Sequence, residues 1–186
     1  MRNGIDYRKN KSIAFLWNVM DRRTRFLLAS KLSSHRDDRG AFQAFKEARA
    51  NSHGQFPERI LVDGATAYNN IGNGTIVKGW NPEVIAKAGI GKPHANNNRI
   101  ERLNGTLRER VKVQRGWKSF DSALPEGQRI HYNFVRPHSA LEGMTPAQAA
   151  GLEVKGWKEL IEKAQIEKTE EEISAKKTEQ AIEVKV

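Results

Sequence analysis

Two acidic residues have the type and spacing to do chemistry together. Asp63 follows the apolar run Ile60-Leu61-Val62 and precedes Gly64; Glu101 comes 38 positions later, where an arginine-rich segment begins. An acid at the carboxyl end of a buried strand stands where open α/β sheets place their ligands. Carboxylates are the donors that hard divalent ions prefer, and a strongly basic chain brings phosphate to such ions. Taken singly, each residue has an ordinary explanation. Asp-Gly is a common turn, and a glutamate in the first turn of a helix is favoured by the helix dipole. A magnesium site for phosphoryl transfer normally takes a third carboxylate as well.

The segment around Glu101 is cationic beyond what a solvated face needs. Arg99, Arg102, Arg108, Arg110, Lys112 and Arg115 fall within 17 positions, against Glu101 and Glu109. Such a helix fits a DNA backbone brought to a metal, with the basic side chains on phosphates and the acid on the ion. Asn96, Asn97 and Asn98 just before it suit phosphate or sugar contacts, or simply a turn. The five histidines show no close zinc spacing, and no nucleophile elbow or phosphate-binding Gly-Lys-Ser/Thr loop occurs. With no cysteine, thiol chemistry, disulfides and cysteine-ligated zinc are excluded.

The whole chain of 186 residues carries a formal charge of +10. Residues 151–186 hold seven Lys and nine Glu, so the first 150 carry +12. That asymmetry points to a polyanionic partner, most naturally nucleic acid. No apolar run approaches the roughly 20 residues of a membrane span, and the first residues lack a signal peptide's apolar stretch. A cytoplasmic protein without a membrane partner is expected.

The elements that must position the acids follow from pattern. Residues 1–12 are polar and without period. Ile13–Met20 and Arg25–Leu32 are apolar runs across a polar break, an antiparallel hairpin. Asp37–Ala50 reads as a helix with Ala41, Phe42, Phe45 and Ala48 on one face, capped by Ser33 or Ser34. Ile60–Val62 is a short strand covered on both faces, and Gly64–Asn70 turns back. Residues 72–81 and 89–98 read as loops around a short strand at 83–88. A helix runs from Arg99 to Gln114 with Ile100, Leu103, Leu107 and Val111 as its stripe; Gly105 inside it suggests a close approach. A helix opens near Pro125 and stops at Arg136-Pro137, and Thr145-Pro146 opens another. Residues 153–186 are a charged tail with an amphipathic helix that fades into disorder. The order predicts a mixed sheet flanked by helices over residues 13–152. The four tryptophans read mostly as core.

Four stretches carry a resemblance. They are Leu16-Trp17-Asn18-Val19-Met20-Asp21 with Thr24-Arg25-Phe26; Val62-Asp63-Gly64 with Ala67-Tyr68; Asn97 to Thr106; and Tyr132 to Leu141 with Thr145-Pro146-Ala147. In this order the chain resembles the catalytic domain of insertion-sequence transposases with an Asp-Asp-Glu triad, an integrase-like class with an RNase H-like α/β fold. It is similar to the group related to IS6 and IS240. The resemblance implies DNA transposition and integration by metal-dependent cleavage and strand transfer. It implies Asp63 and Glu101 as second and third triad acids, two Mg²⁺ or Mn²⁺ ions, DNA of element ends and target as partner, and a homo-oligomer when full length.

The first acid has three open placements: Asp6, Asp21, and a position at or before Met1. Asp21 falls in the hairpin turn, and Gly4–Lys9 gives little apolar support for a central strand, so the third placement is the expectation. A first central strand and an upstream DNA-binding region are then expected to be missing. A non-catalytic DNA-binding remnant is the alternative function, and an RNase H-like nuclease the third.

Overall fold

The computed structural model describes residues 4–7, 12–55, 57–63, 65–68, 83–85, 98–117, 119–152, 154 and 158–166. Three strands form an antiparallel sheet: β1 (Gly4–Tyr7), β2 (Ser12–Met20) and β3 (Leu27–Ser33), with β2 in the middle. Helix α1 (Asp38–Ala50) follows, then β4 (Arg59–Leu61), a 3₁₀ turn (Thr66–Tyr68) and β5 (Glu83–Ile85). β4 and β5 pair in parallel. Helix α2 (Asn98–Val113) leads to α3 (Leu124–Ile130), a π-helical turn (His131–Val135), a 3₁₀ turn (Ser139–Leu141) and α4 (Pro146–Ala149). Residues 158–166 are helical in the charged tail. Among the described residues no helix is long and apolar enough to cross a membrane.

Side-chain alternation along β2 builds the layers. Phe15, Trp17 and Val19 face a core with Ala41 and Ala44 of α1, Ile60 and Val62 of the β4 segment, and Ala67. Leu16 and Met20 face the other way, onto Leu103 and Leu107 of α2, Leu27 and Tyr132. A strand with period two buries both sides in this way only when helices cover both sides. Trp17 is 6% exposed, and its indole N–H donates to the Ser33 hydroxyl at 2.7 Å. Gly40 lies beneath that indole: a Cβ there would stand 2.5 Å from Trp17 Nε1. Glycine thus sets how closely α1 approaches the sheet.

Several local expectations change. A strand forms within the polar segment 1–12, with Asp6 opposite Ile13; ladder pairing uses backbone groups and needs no apolar period. α1 is capped by Asp37, which accepts from Gly40 N–H, rather than by Ser33 or Ser34. The Ser33 hydroxyl is engaged by Trp17 and donates to the His35 carbonyl. On α1, Ala44 joins Ala41 and Ala48 in the core while Phe42 is exposed, because residue 42 sits one helical step off the stripe. At Gly105 a Cβ would meet nothing within 4 Å, so no close approach requires glycine there. Trp17 and Trp117 are core residues. Gly64, Asn69, Asn70, Trp80, Asn96, Asn97 and Trp157, and the expected loops over 72–81 and 89–97, lie outside the described residues.

Helix ends follow one geometry. After α1, Gly54 N–H returns to Arg49 C=O with His53 at φ 53°; after α2, Gly116 N–H returns to Val111 C=O with Arg115 at φ 57°. Each is a Schellman closure whose left-handed position holds a large polar residue instead of glycine. α4 opens with a capping box in which Thr145 and Gln148 satisfy each other's backbone N–H. Arg136, extended before Pro137, ends the π turn.

The π turn holds the sheet from its side. Asn133 is 0% exposed; its Oδ1 accepts from Leu27 N–H at 2.8 Å and its Nδ2 donates to Leu27 C=O at 3.0 Å. The amide pairs with Leu27 as a neighbouring strand residue would, engaging both backbone polar groups of a fully buried position. Replacing Asn133 with Leu is expected to lower stability by about 1–3 kcal/mol, because the buried Leu27 N–H loses its partner and its C=O keeps only Arg129 Nη1 at 3.5 Å. Urea unfolding measures this, and a loss under about 1 kcal/mol would refute the clamp.

Candidate active site and nucleic-acid interface

Asp63 lies two residues past β4, exposed, with Val62 before it anchored in the α1-side core. Its Oδ1 accepts from Ala65 N–H at 3.0 Å, folding the chain back as a carboxylate-capped turn. Its Oδ2 faces Arg36 Nη2 at 3.4 Å, with side-chain exposures of 41% and 37%. A pair this exposed contributes under about 1 kcal/mol, so Arg36 can yield to another cation without cost to the fold. Tyr68 packs edge-on against Trp17, with ring centroids 5.8 Å apart. Its phenol is pushed up to about 12, first by burial and then by the charge of Asp63, with Arg36 pulling the other way.

Glu101 stands in the first turn of α2, exposed and without a hydrogen bond or ion pair to any described residue. Its position is set from beneath. Asn18 Nδ2 donates to Asn104 Oδ1 at 2.8 Å, and the Ser30 hydroxyl donates to Asn18 Oδ1 at 2.8 Å. This polar bridge runs from β3 through β2 to α2 and fixes the helix along the sheet. Arg99 adds a second tie by donating to the Arg22 carbonyl in the β2–β3 turn. Asn18 and Asn104 belong to stretches that carry the resemblance, where pattern alone assigns them no role. Their signal is an amide inside an apolar strand and another beside a helix stripe.

The acids therefore reach the site from different layers: Asp63 from the α1 side of β2 and Glu101 from the α2 side. No hydrogen bond or ion pair joins them among the described residues, nor does any group of three acids or histidines fit to hold a metal. Both carboxylates are nevertheless exposed oxygen donors of the kind a hard divalent ion takes. Asp21 is otherwise occupied. Its Oδ2 accepts from Thr24 N–H and hydroxyl, and its N–H donates to Phe26 C=O at 2.8 Å, closing the β2–β3 turn. Half-buried rather than facing solvent, it is a turn residue.

The six basic candidates divide by position. The side chains of Arg102 and Arg110 belong to exposed residues and have no hydrogen-bond or ion-pair partner among the described residues. Lys112 pairs with Glu109 at 2.6 Å, both about 70% exposed. Arg99 holds the β2–β3 turn, Arg115 occupies the left-handed closure of α2, and Arg108 is half-exposed.

The Asp63–Tyr68 coupling gives a titration. The phenol's ordinary value is 10.0. Between that pH and about 12, unfolded Tyr68 loses its proton while the folded residue keeps it, so stability falls across this window as pH rises. Asp63→Asn removes the repelling charge and lowers the Tyr68 value. Tyrosine absorbance against pH, with Tyr68→Phe to assign the signal, measures it; no change in Asp63→Asn would deny the contact.

Residues 8–130 match the model of the DDE domain of IS240-type transposases, a stretch that contains Asp63, Glu101 and all six basic candidates. No curated protein matches the chain. The matched segment ends before Tyr132, although Tyr132 and Asn133 are built into the same core. The chain belongs to the DDE transposase domain family of the IS240 group.

Proposed function

We propose that the chain is a transposase catalytic domain that cleaves DNA at element ends and joins a DNA 3′-hydroxyl to target DNA, with Asp63 and Glu101 as two of its acids. Membership in a family of DDE domains carries this reading. It is supported by the position of Asp63 just past a strand and of Glu101 at the start of a basic helix, both exposed.

The family works with divalent metal ions. Bound between Asp63 and Glu101, Mg²⁺ or Mn²⁺ would supply Lewis-acid stabilisation to the phosphate under attack. The chain's own contribution is placement. The Asn18–Asn104 bridge sets α2, Val62 sets the end of β4, and Arg36 stands against Asp63 until a stronger cation displaces it. Arg102 and Arg110 hold the DNA backbone in register. The fold is read as RNase H-like.

A second reading has one observation in its favour: no metal-type cluster of three side chains occurs among the described residues. The chain would then be a non-catalytic DNA-binding form of the domain. Strand transfer by the full chain on duplexes carrying the element's ends, with Mg²⁺ or Mn²⁺, separates the two. The catalytic reading expects Asp63→Ala and Glu101→Ala each to reduce product by about two to three orders of magnitude while duplex binding holds within about threefold. Product that survives both substitutions would refute the assignment. Binding without product in the unsubstituted chain would establish the second reading.

A further inference from the structure

A second cationic feature joins Arg110 of α2 to Arg25 and Arg136, along the seam between α2 and the π turn. α3 and the π turn run back beside α2: Gln128 Nε2 donates to Gln114 Oε1 at 2.9 Å near the end of α2, and Tyr132 packs on Leu107 and Leu103 farther toward its start. Two ties bring the β2–β3 turn onto the same seam. Asn133 clamps Leu27, and Phe26 meets Phe134 edge-on with centroids 5.9 Å apart. Arg25, held at φ 61° between the Asp21 turn and Phe26, is thereby set beside Tyr132 and Arg136.

The seam gathers positive charge without neutralising it. Arg110 and Arg136 act on His131, and Arg136 and Arg25 act on His138. Both imidazoles are pushed down, first by burial and then by these guanidinium groups. Nearby carboxylates are committed elsewhere: Glu126 to Arg129, Glu109 to Lys112, Asp21 to Thr24. The guanidinium groups of Arg25, Arg110 and Arg136 have no hydrogen-bond or ion-pair partner among the described residues. His138 packs edge-on against Tyr132 at 4.7 Å, and its Nε2 is buried with no partner. Three guanidinium groups gathered without a carboxylate beside them bear a mutual repulsion that an anion would relieve.

We propose that Arg25, Arg110 and Arg136, beside His131 and His138, form a phosphate-binding track that carries a DNA strand along the seam between α2 and the π turn. The direction follows from the ends. Arg110 and His131 mark one end. The β2–β3 turn marks the other, where the Arg22 carbonyl receives Arg99, two positions before Glu101. Glu101 lies nine positions before Arg110, about two and a half turns of α2, so the track runs along the face of the helix turned away from that carboxylate. The track rests on the reading of the chain as a DNA-handling domain, and it names which phosphates that domain holds.

Anisotropy of a labelled duplex against NaCl concentration tests it with the full chain. Each lost phosphate contact lowers the slope of log K against log salt by about 0.9. The Arg25→Gln/Arg136→Gln double variant is therefore expected to lose about 1.8 from the slope and at least about tenfold in affinity at low salt, while Arg25→Lys/Arg136→Lys keeps the slope. An unchanged slope in a glutamine variant that melts like the unsubstituted chain overturns the track alone. An unsubstituted chain that binds no duplex at low salt overturns the function and the track together. Imidazole NMR of the unsubstituted chain needs no variant. Duplex addition is expected to raise the titration of His131 and His138 and to leave exposed His35 and His53 in place. Unmoved resonances of the first two would contradict the proposal.

Discussion

Burial of β2 on both faces is the constraint on which the other features depend. Trp17 on one face and Leu16 and Met20 on the other each need a covering layer, and α1 and α2 supply them. Fully burying one large apolar side chain contributes roughly 1.5–3 kcal/mol, so neither layer can leave without a loss comparable to much of a small domain's net stability. The acids ride on this arrangement. Asp63 follows Val62, which packs on Trp17, and Glu101 precedes Leu103, which packs with Leu27. β2 thus acts as the common reference from which both catalytic candidates are positioned.

Polar interactions refine what apolar burial leaves loose. A stripe of Leu103, Leu107 and Val111 can slide along a sheet at little cost, whereas the Ser30–Asn18–Asn104 bridge matches donor to acceptor in one register. Asn133 does the same for the π turn by closing the Leu27 amide and carbonyl together. Buried and half-buried hydrogen bonds of this kind add modest net stability, but their loss is costly, so they specify position more than they drive folding.

Features that depend on period or on a local cap were legible in the sequence. The β2–β3 hairpin, the α2 stripe, Pro125 in the first turn of α3, and Thr145 as the cap of α4 all follow from neighbours within a few positions. What escaped depends on partners far along the chain. Pairing of polar Gly4–Tyr7 with β2 uses backbone groups and leaves no pattern. Asn133 finds Leu27 across 106 positions, and Asn104 finds Asn18 across 86. For the basic residues, sequence shows charge but not commitment: Arg99 of α2 is spent on a carbonyl, while outside α2 the side chains of Arg25 and Arg136 stand without ion pairs among the described residues.

The central claim is that Asp63 and Glu101, delivered from opposite sides of β2, serve one divalent-ion site. Binding of Mn²⁺ to the full chain, followed by the loss of the free-ion EPR signal, tests it without any need for catalysis. The account predicts that Asp63→Asn and Glu101→Gln each weaken the same site by about tenfold or more, and that the double substitution removes little beyond either single one. Mn²⁺ binding that ignores both substitutions, or two losses that add as independent sites, would contradict it.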